Sequence, residues 1–118
     1  MQYLLFVGTA PDGNSIDEKD AEKDPRYMEI DNWVETMDGS GKRIIGERLR
    51  PPTDATTVRV RGGELLVTDG PFAEGKEYIA GFDIIEAADL DEAIDIASKH
   101  PMAHMGLIEI HPTWPWEG

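Results

Sequence analysis

An α+β fold, with an antiparallel sheet and two helices on one of its faces, is predicted for this 118-residue chain by three features of its sequence. Short apolar runs with strand-like alternation recur along the chain. Two stretches instead space their apolar residues three and four apart, as helices do. Gly- and Pro-rich breaks divide the two kinds of segment.

The first element is Gln2–Val7, a strand with apolar residues on both faces: Tyr3, Leu5 and Val7 on one, Leu4 and Phe6 on the other. It carries no basic leader and is ended by Gly8 and Pro11, so it reads as a strand and not as a secretion signal. Residues 10–25, "APDGNSIDEKDAEKDP", are polar and acidic without a sustained period, and are expected to form a long surface loop, a lid or a linker. Tyr27, Ile30, Trp33, Val34 and Met37 then mark one face of a helix, which Asp38-Gly39-Ser40-Gly41 stops. Lys42–Leu49 is a strand closed by Pro51-Pro52. Thr57–Arg61 and Glu64–Thr68 form a hairpin around Gly62-Gly63, a pair that accepts the positive φ of a tight two-residue turn.

Tyr78–Glu86 is the next long strand, with Tyr78, Ala80, Phe82 and Ile84 on one face. The second helix spans Asp89–Lys99: Asp89 caps it, Glu92 follows three residues on, and Leu90, Ala93, Ile94 and Ala97 form the expected buried stripe. Pro101 is read as its stop. Met105–His111 is the last strand, and the tail "PTWPWEG" cannot extend a sheet because Pro112 and Pro115 lack a backbone donor. Strand, helix, strand, hairpin, strand, helix, strand is the split βαβ order of a ferredoxin-like fold with an inserted hairpin, in one domain covering residues 1–118. Right-handed crossovers place both helices on the same face. The first strand is apolar on the other face too, and a second copy of the chain is the expected cover for it.

The formal charge of −13 argues against nucleic acid as a partner, since phosphate binding needs clustered cations. The basic residues Lys42, Arg43, Arg48, Arg50, Arg59 and Arg61 are expected to pair with surplus carboxylates or to line an anion-accepting surface. There is no cysteine, hence no disulfide and no thiolate metal site. No apolar run approaches a membrane span.

The segments "GERLRPP" (Gly46–Pro52), "TTVRVRGGELLVTDGPFAEGKE" (Thr56–Glu77), "GFDIIEAADLDEAIDIASKHP" (Gly81–Pro101) and "GLIEIHP" (Gly106–Pro112) resemble, in this order, the YCII-related family, in its branch with the Asp-Gly-Pro-Phe motif. The resemblance implies a bacterial, cytoplasmic protein forming a dimeric α/β barrel, with a cleft in each subunit. Some members of the branch are associated with extracytoplasmic-function sigma factors. Shorter members carry a His on the first helix that has been proposed to act with an Asp as an acid–base pair. Here "RYMEIDNWVETM" has no His; Tyr27 lies near its place, and Asp31 and Asp38 are the nearby acids.

The residues that could carry chemistry centre on Asp69-Gly70-Pro71-Phe72. Asp69 reads either as an Asx-type turn residue or as a partly enclosed acid beside Phe72; Glu77 is either its partner in an acid–base pair or, with Lys76 neutralising one of the acids, part of a solvated edge. Tyr27, Arg48, Phe72 and His111 are the candidate ligand-binding residues, with Arg48 as an anion anchor. His100 and His104 have a metal-like spacing, but Pro101 interrupts the helix that would align them, and no metal site is expected. His100 is expected at a helix C-terminus, charged and facing the dipole. Two functions emerge. One is a cofactor-independent proton-transfer enzyme, of isomerase or lyase type, acting on a compact organic molecule. The other is a ligand-sensing or regulatory homodimer that docks a protein, such as a sigma factor, with Trp114 and Trp116 as anchors.

Overall fold

The computed structural model describes residues 1–9, 25–70 and 79–116, with side chains in the first helix from Glu29 onward. The acidic segment 10–24, Phe72, Glu77 and the Tyr27 side chain lie outside the described residues.

The elements are β1 (Gln2–Thr9), α1 (Pro25–Gly39), β2 (Arg43–Arg48), β3 (Thr56–Arg61), β4 (Glu64–Asp69), β5 (Ile79–Glu86), α2 (Leu90–Ser98), α3 (Pro101–Met105) and β6 (Gly106–Pro112). Four strands make one antiparallel sheet in the order β2-β5-β1-β6, which is the ferredoxin-like order once the hairpin is set aside. The hairpin β3–β4 is a separate two-stranded sheet. Its turn uses Gly62 (φ 58°) and Gly63 (φ 78°), both in the left-handed region that side chains avoid.

The alternation read from β1 sorts the core. Tyr3, Leu5 and Val7 are buried on the helix side, where Tyr3 and Leu5 join a core with Ile85 of β5, Trp33 and Met37 of α1, and Ala93, Ile96 and Ala97 of α2. The Trp33 indole N–H donates to the Ile96 carbonyl at 3.0 Å, which ties the two helices together over the sheet. The opposite face, with Leu4 and Phe6 beside Ile84 and Phe82, is only half-buried.

Asp89 caps α2 as expected, accepting from the Glu92 N–H at 2.9 Å. The buried stripe differs from the expected one. Ile96 is 1 % exposed, whereas Leu90 and Ile94 are 50 % and 49 % exposed. Ala93, Ile96 and Ala97 are also three and four apart, so the period holds and the face is rotated. Pro101 also has a second role. It ends one helix and opens the short helix α3 at its first turn, where a missing N–H costs nothing.

Candidate functional site

A cleft of about 320 Å³ opens between the helix side of the sheet and helices α1 and α3. Val7, Ile30, Val34 and Met102 contribute to its apolar wall; Thr9, Asp31, Arg43, Glu47, Arg48, Asp83 and His100 are its polar lining. Its position follows from chain geometry. The strands β1 and β5 bring Thr9 and Asp83 to one side, and α1 brings Ile30, Asp31 and Val34 to the other.

The floor is an ion pair that depends on two backbone features. A bulge between Arg43 and Ile45 shifts the register of β2 against β5, so that Arg43 faces Ile85 and Gly46 faces Asp83. Without the extra residue, positions three apart in a strand would point to opposite faces; with it, both lie on the helix side. Gly46 then leaves open the space that Arg43 and Asp83 fill: a Cβ there would run into Asp83 Oδ1 and lie 2.7 Å from Arg43 Nη2 and from the Phe82 carbonyl. Arg43 Nε donates to Asp83 Oδ1 at 2.7 Å, Nη2 to the Gly46 carbonyl at 2.9 Å, and Nη1 to Asp38 at 3.0 Å. Burial raises the Asp83 pKa against the pull of Arg43. For Arg43 burial works against the charge, but the bonds to Asp83 and Asp38 outweigh it and hold its pKa above the ordinary value.

His100 joins the cleft from the junction of α2 and α3. A residue before proline is held extended, and His100 has φ −74° and ψ 130°. This turns its ring inward, so that the residue is 3 % exposed. Nδ1 accepts the Met102 N–H at 3.0 Å, and the ring stands edge-on to Trp33 with centroids 4.6 Å apart. Desolvation lowers its pKa to about 4, so the ring is neutral near pH 7. The expectation of a charged, helix-terminal His100 is thus overturned: it caps the start of α3 from inside the core. Because Nδ1 is an acceptor, Nε2 carries the proton of the neutral ring. His104 is exposed and faces the Ser98 carbonyl at 3.1 Å. Among the described residues, no cluster of three or more His, Asp or Glu side chains could hold a metal ion.

The other candidates are dispersed. Arg48 lines the cleft. Asp69 is exposed at the end of β4 and is not part of the cleft lining, although Gly70 beside it takes φ 99°, as a turn of this composition requires. His111 pairs in register with Leu4 on the helix-free side, packs edge-on against Phe6 and bonds Glu109 Oε2 at 2.8 Å. Thr9, Asp83 and His100 are the site residues that sequence reasoning misses. His-Pro before a short apolar run was the available signal, since a polar residue before Pro is also how a helix begins.

A split βαβ sheet with a side-chain-lined cleft under its helices places this chain in the ferredoxin-like class of α+β folds. The chain belongs to the YCII-related family: the YCII-related domain matches residues 1–117. A protein of Rhizobium meliloti (strain 1021) described as uncharacterized protein R00369 is 48 % identical over 75 residues, which are 62 % of this chain and 60 % of that protein's length. A solved structure of 5-chloro-2-hydroxyhydroquinone dehydrochlorinase (TftG) from Burkholderia phenoliruptrix AC1100, in complex with 2,5-dihydroxybenzoquinone, matches with a TM-score of 0.54 over 98 % of this chain and 94 % of the other. At 17 % identity that likeness establishes the fold alone.

Proposed function

We propose that the cleft binds a compact, oxygen-bearing organic ring and moves a proton on it. The observation that carries this reading is His100, a buried neutral imidazole in the wall of a cavity whose volume, about 320 Å³, is that of a small-molecule site. A neutral imidazole donating from Nε2 polarises a carbonyl without bringing a full charge into an apolar site. Asp83 is the base in this reading, because a carboxylate whose pKa is raised by burial lies closer to the working range. It would take a proton from the carbon next to the polarised carbonyl and return it at another position, leaving the oxygen held throughout. The ring-shaped ligand of the fold neighbour fits a cleft of this size. Asp69 is a turn residue in this scheme. A screen of hydroquinones, hydroxyquinones, lactones and small carboxylates by protein NMR tests it: shifts that saturate and map to Thr9, Gly81, Asp83 and His100 support the cleft. Shifts confined to the hairpin or the tail refute it.

The working form in this proposal is a cytoplasmic homodimer. Val58, Val60, Leu65 and Val67 share one face of the β3–β4 hairpin and are 58–64 % exposed. A lone hairpin is marginal in water, so this face calls for cover. The Cα radius of gyration is 16.0 Å, against about 13–14 Å for a compact chain of this length. No described helix is long and apolar enough to cross a membrane.

A second reading, a regulator that docks a protein, has one observation in its favour: Trp114 and Trp116 are 93 % and 100 % exposed. Nothing in the structure favours a sigma factor over another partner.

A further inference from the structure

We infer that the Thr9 hydroxyl is a ligand-binding group, and that the buried end of the cleft takes an uncharged ligand oxygen, a ketone or lactone carbonyl or a phenolic hydroxyl, in preference to a carboxylate. The inference rests on the cleft being a small-molecule site and narrows what it accepts.

Thr9 closes β1 and is 4 % exposed. Its Oγ1 is the one buried side-chain polar atom without a hydrogen-bond partner among the described residues. Unpaired buried hydroxyls are costly and uncommon, and this one lines the cleft instead of lying in a sealed core. Its place is rigid. Thr9 pairs with Gly106, the residue that ends α3, and a Cβ on Gly106 would press on the Gly8 carbonyl and come within 3.3 Å of Thr9 Cα. His100 caps the other end of the same five-residue helix, about 7.5 Å long at 1.5 Å per residue. Two neutral hydrogen-bonding residues, Thr9 and His100, therefore line the cleft, one beside each end of α3.

The charges nearby decide what they can hold. Arg43, the half-buried cation of the floor, already spends its guanidinium on Asp83, Asp38 and the Gly46 carbonyl. A carboxylate entering this end would lose its water and meet Asp83, with Arg43 already engaged and with Asp31 and Glu47 also in the lining against Arg48. A carbonyl or phenolic oxygen has no charge to desolvate or to repel Asp83, and a hydrogen bond from the site offsets its smaller loss of water. The threonine hydroxyl rotates, so it can donate to the first or accept from the second.

The test compares two probes of one size, 4-hydroxyacetophenone and 4-hydroxybenzoate, by NMR titration at pH 7 on wild type, Thr9→Val and Thr9→Ser. Valine keeps the shape and removes the hydroxyl. We expect 4-hydroxyacetophenone to bind wild type at least tenfold more tightly than 4-hydroxybenzoate. Thr9→Val should lose at least tenfold of that affinity while the unliganded protein melts at a higher temperature, and Thr9→Ser should keep most of the affinity. Equal affinity in wild type and Thr9→Val overturns the inference alone, leaving the cleft as a binding site. Tighter binding of the carboxylate in wild type also overturns it, whatever the variants do. No saturable binding of either probe to wild type overturns both this and the small-molecule reading.

Discussion

Acidification should cost this fold about 3 kcal/mol through one buried ring. His100 has a folded pKa of about 4 against an ordinary value of 6.5. Between those two values the unfolded chain binds a proton that the native ring refuses, so stability rises with pH across that window. The contribution is fully present above pH 6.5 and is lost as the pH falls toward 4. At roughly 1.36 kcal/mol per pH unit, the gap is worth ~3 kcal/mol. Asp83 works in the opposite sense: its raised pKa lets the native state take a proton before the unfolded chain does, which softens the loss at the acid end. The assay is urea denaturation at pH 7, 6, 5 and 4 on wild type and His100→Asn. Asparagine keeps an acceptor for the Met102 N–H but gives up the edge contact with Trp33, so the variant starts about 1 kcal/mol or more behind. The readout is the slope, in which groups common to both proteins cancel. The stability of wild type relative to the variant should fall by ~3 kcal/mol from pH 7 to pH 4, enough to reverse an initial lead of about 1 kcal/mol. Parallel pH profiles, or an NMR titration showing His100 protonating near 6.5, would refute the argument that this ring is desolvated.

Two further expectations concern the floor of the cleft and the assembly. Gly46→Ala should destabilise the protein by about 3 kcal/mol or more by denaturant melting, because the new methyl group displaces Asp83 and overpacks against the Phe82 carbonyl; a loss below about 1 kcal/mol would mean the ion pair can move aside. Light scattering at micromolar concentration should give the mass of a dimer, and a monomeric mass would sink the claim that a second copy covers the exposed hairpin and the helix-free face.

Strand alternation in β1, the period of α1, the Asp89 cap and the Gly62-Gly63 turn were all legible because each is a local property: one residue and its near neighbours decide it. The order of the elements then leaves little choice of sheet. The face α2 presents was less legible. Leu90 and Ile94 are as apolar as Ile96, and only the position of the helix over Tyr3, Leu5 and Ile85 decides which of them is covered.

The site depended still more on three-dimensional arrangement. The sequence by itself determined the ferredoxin-like order, the turns and the family membership, because hydrophobic period, glycine and proline act over a few residues. Tertiary structure alone decided that Arg43 and Gly46 share a face, since that takes a bulge read against β5. It also decided that His100 is a buried neutral ring and not an exposed cation, since its pKa is set by Trp33 and the surrounding core, which approach it from across the fold. A group's charge state depends on the whole of its surroundings, and for His100 most of those surroundings are distant in sequence.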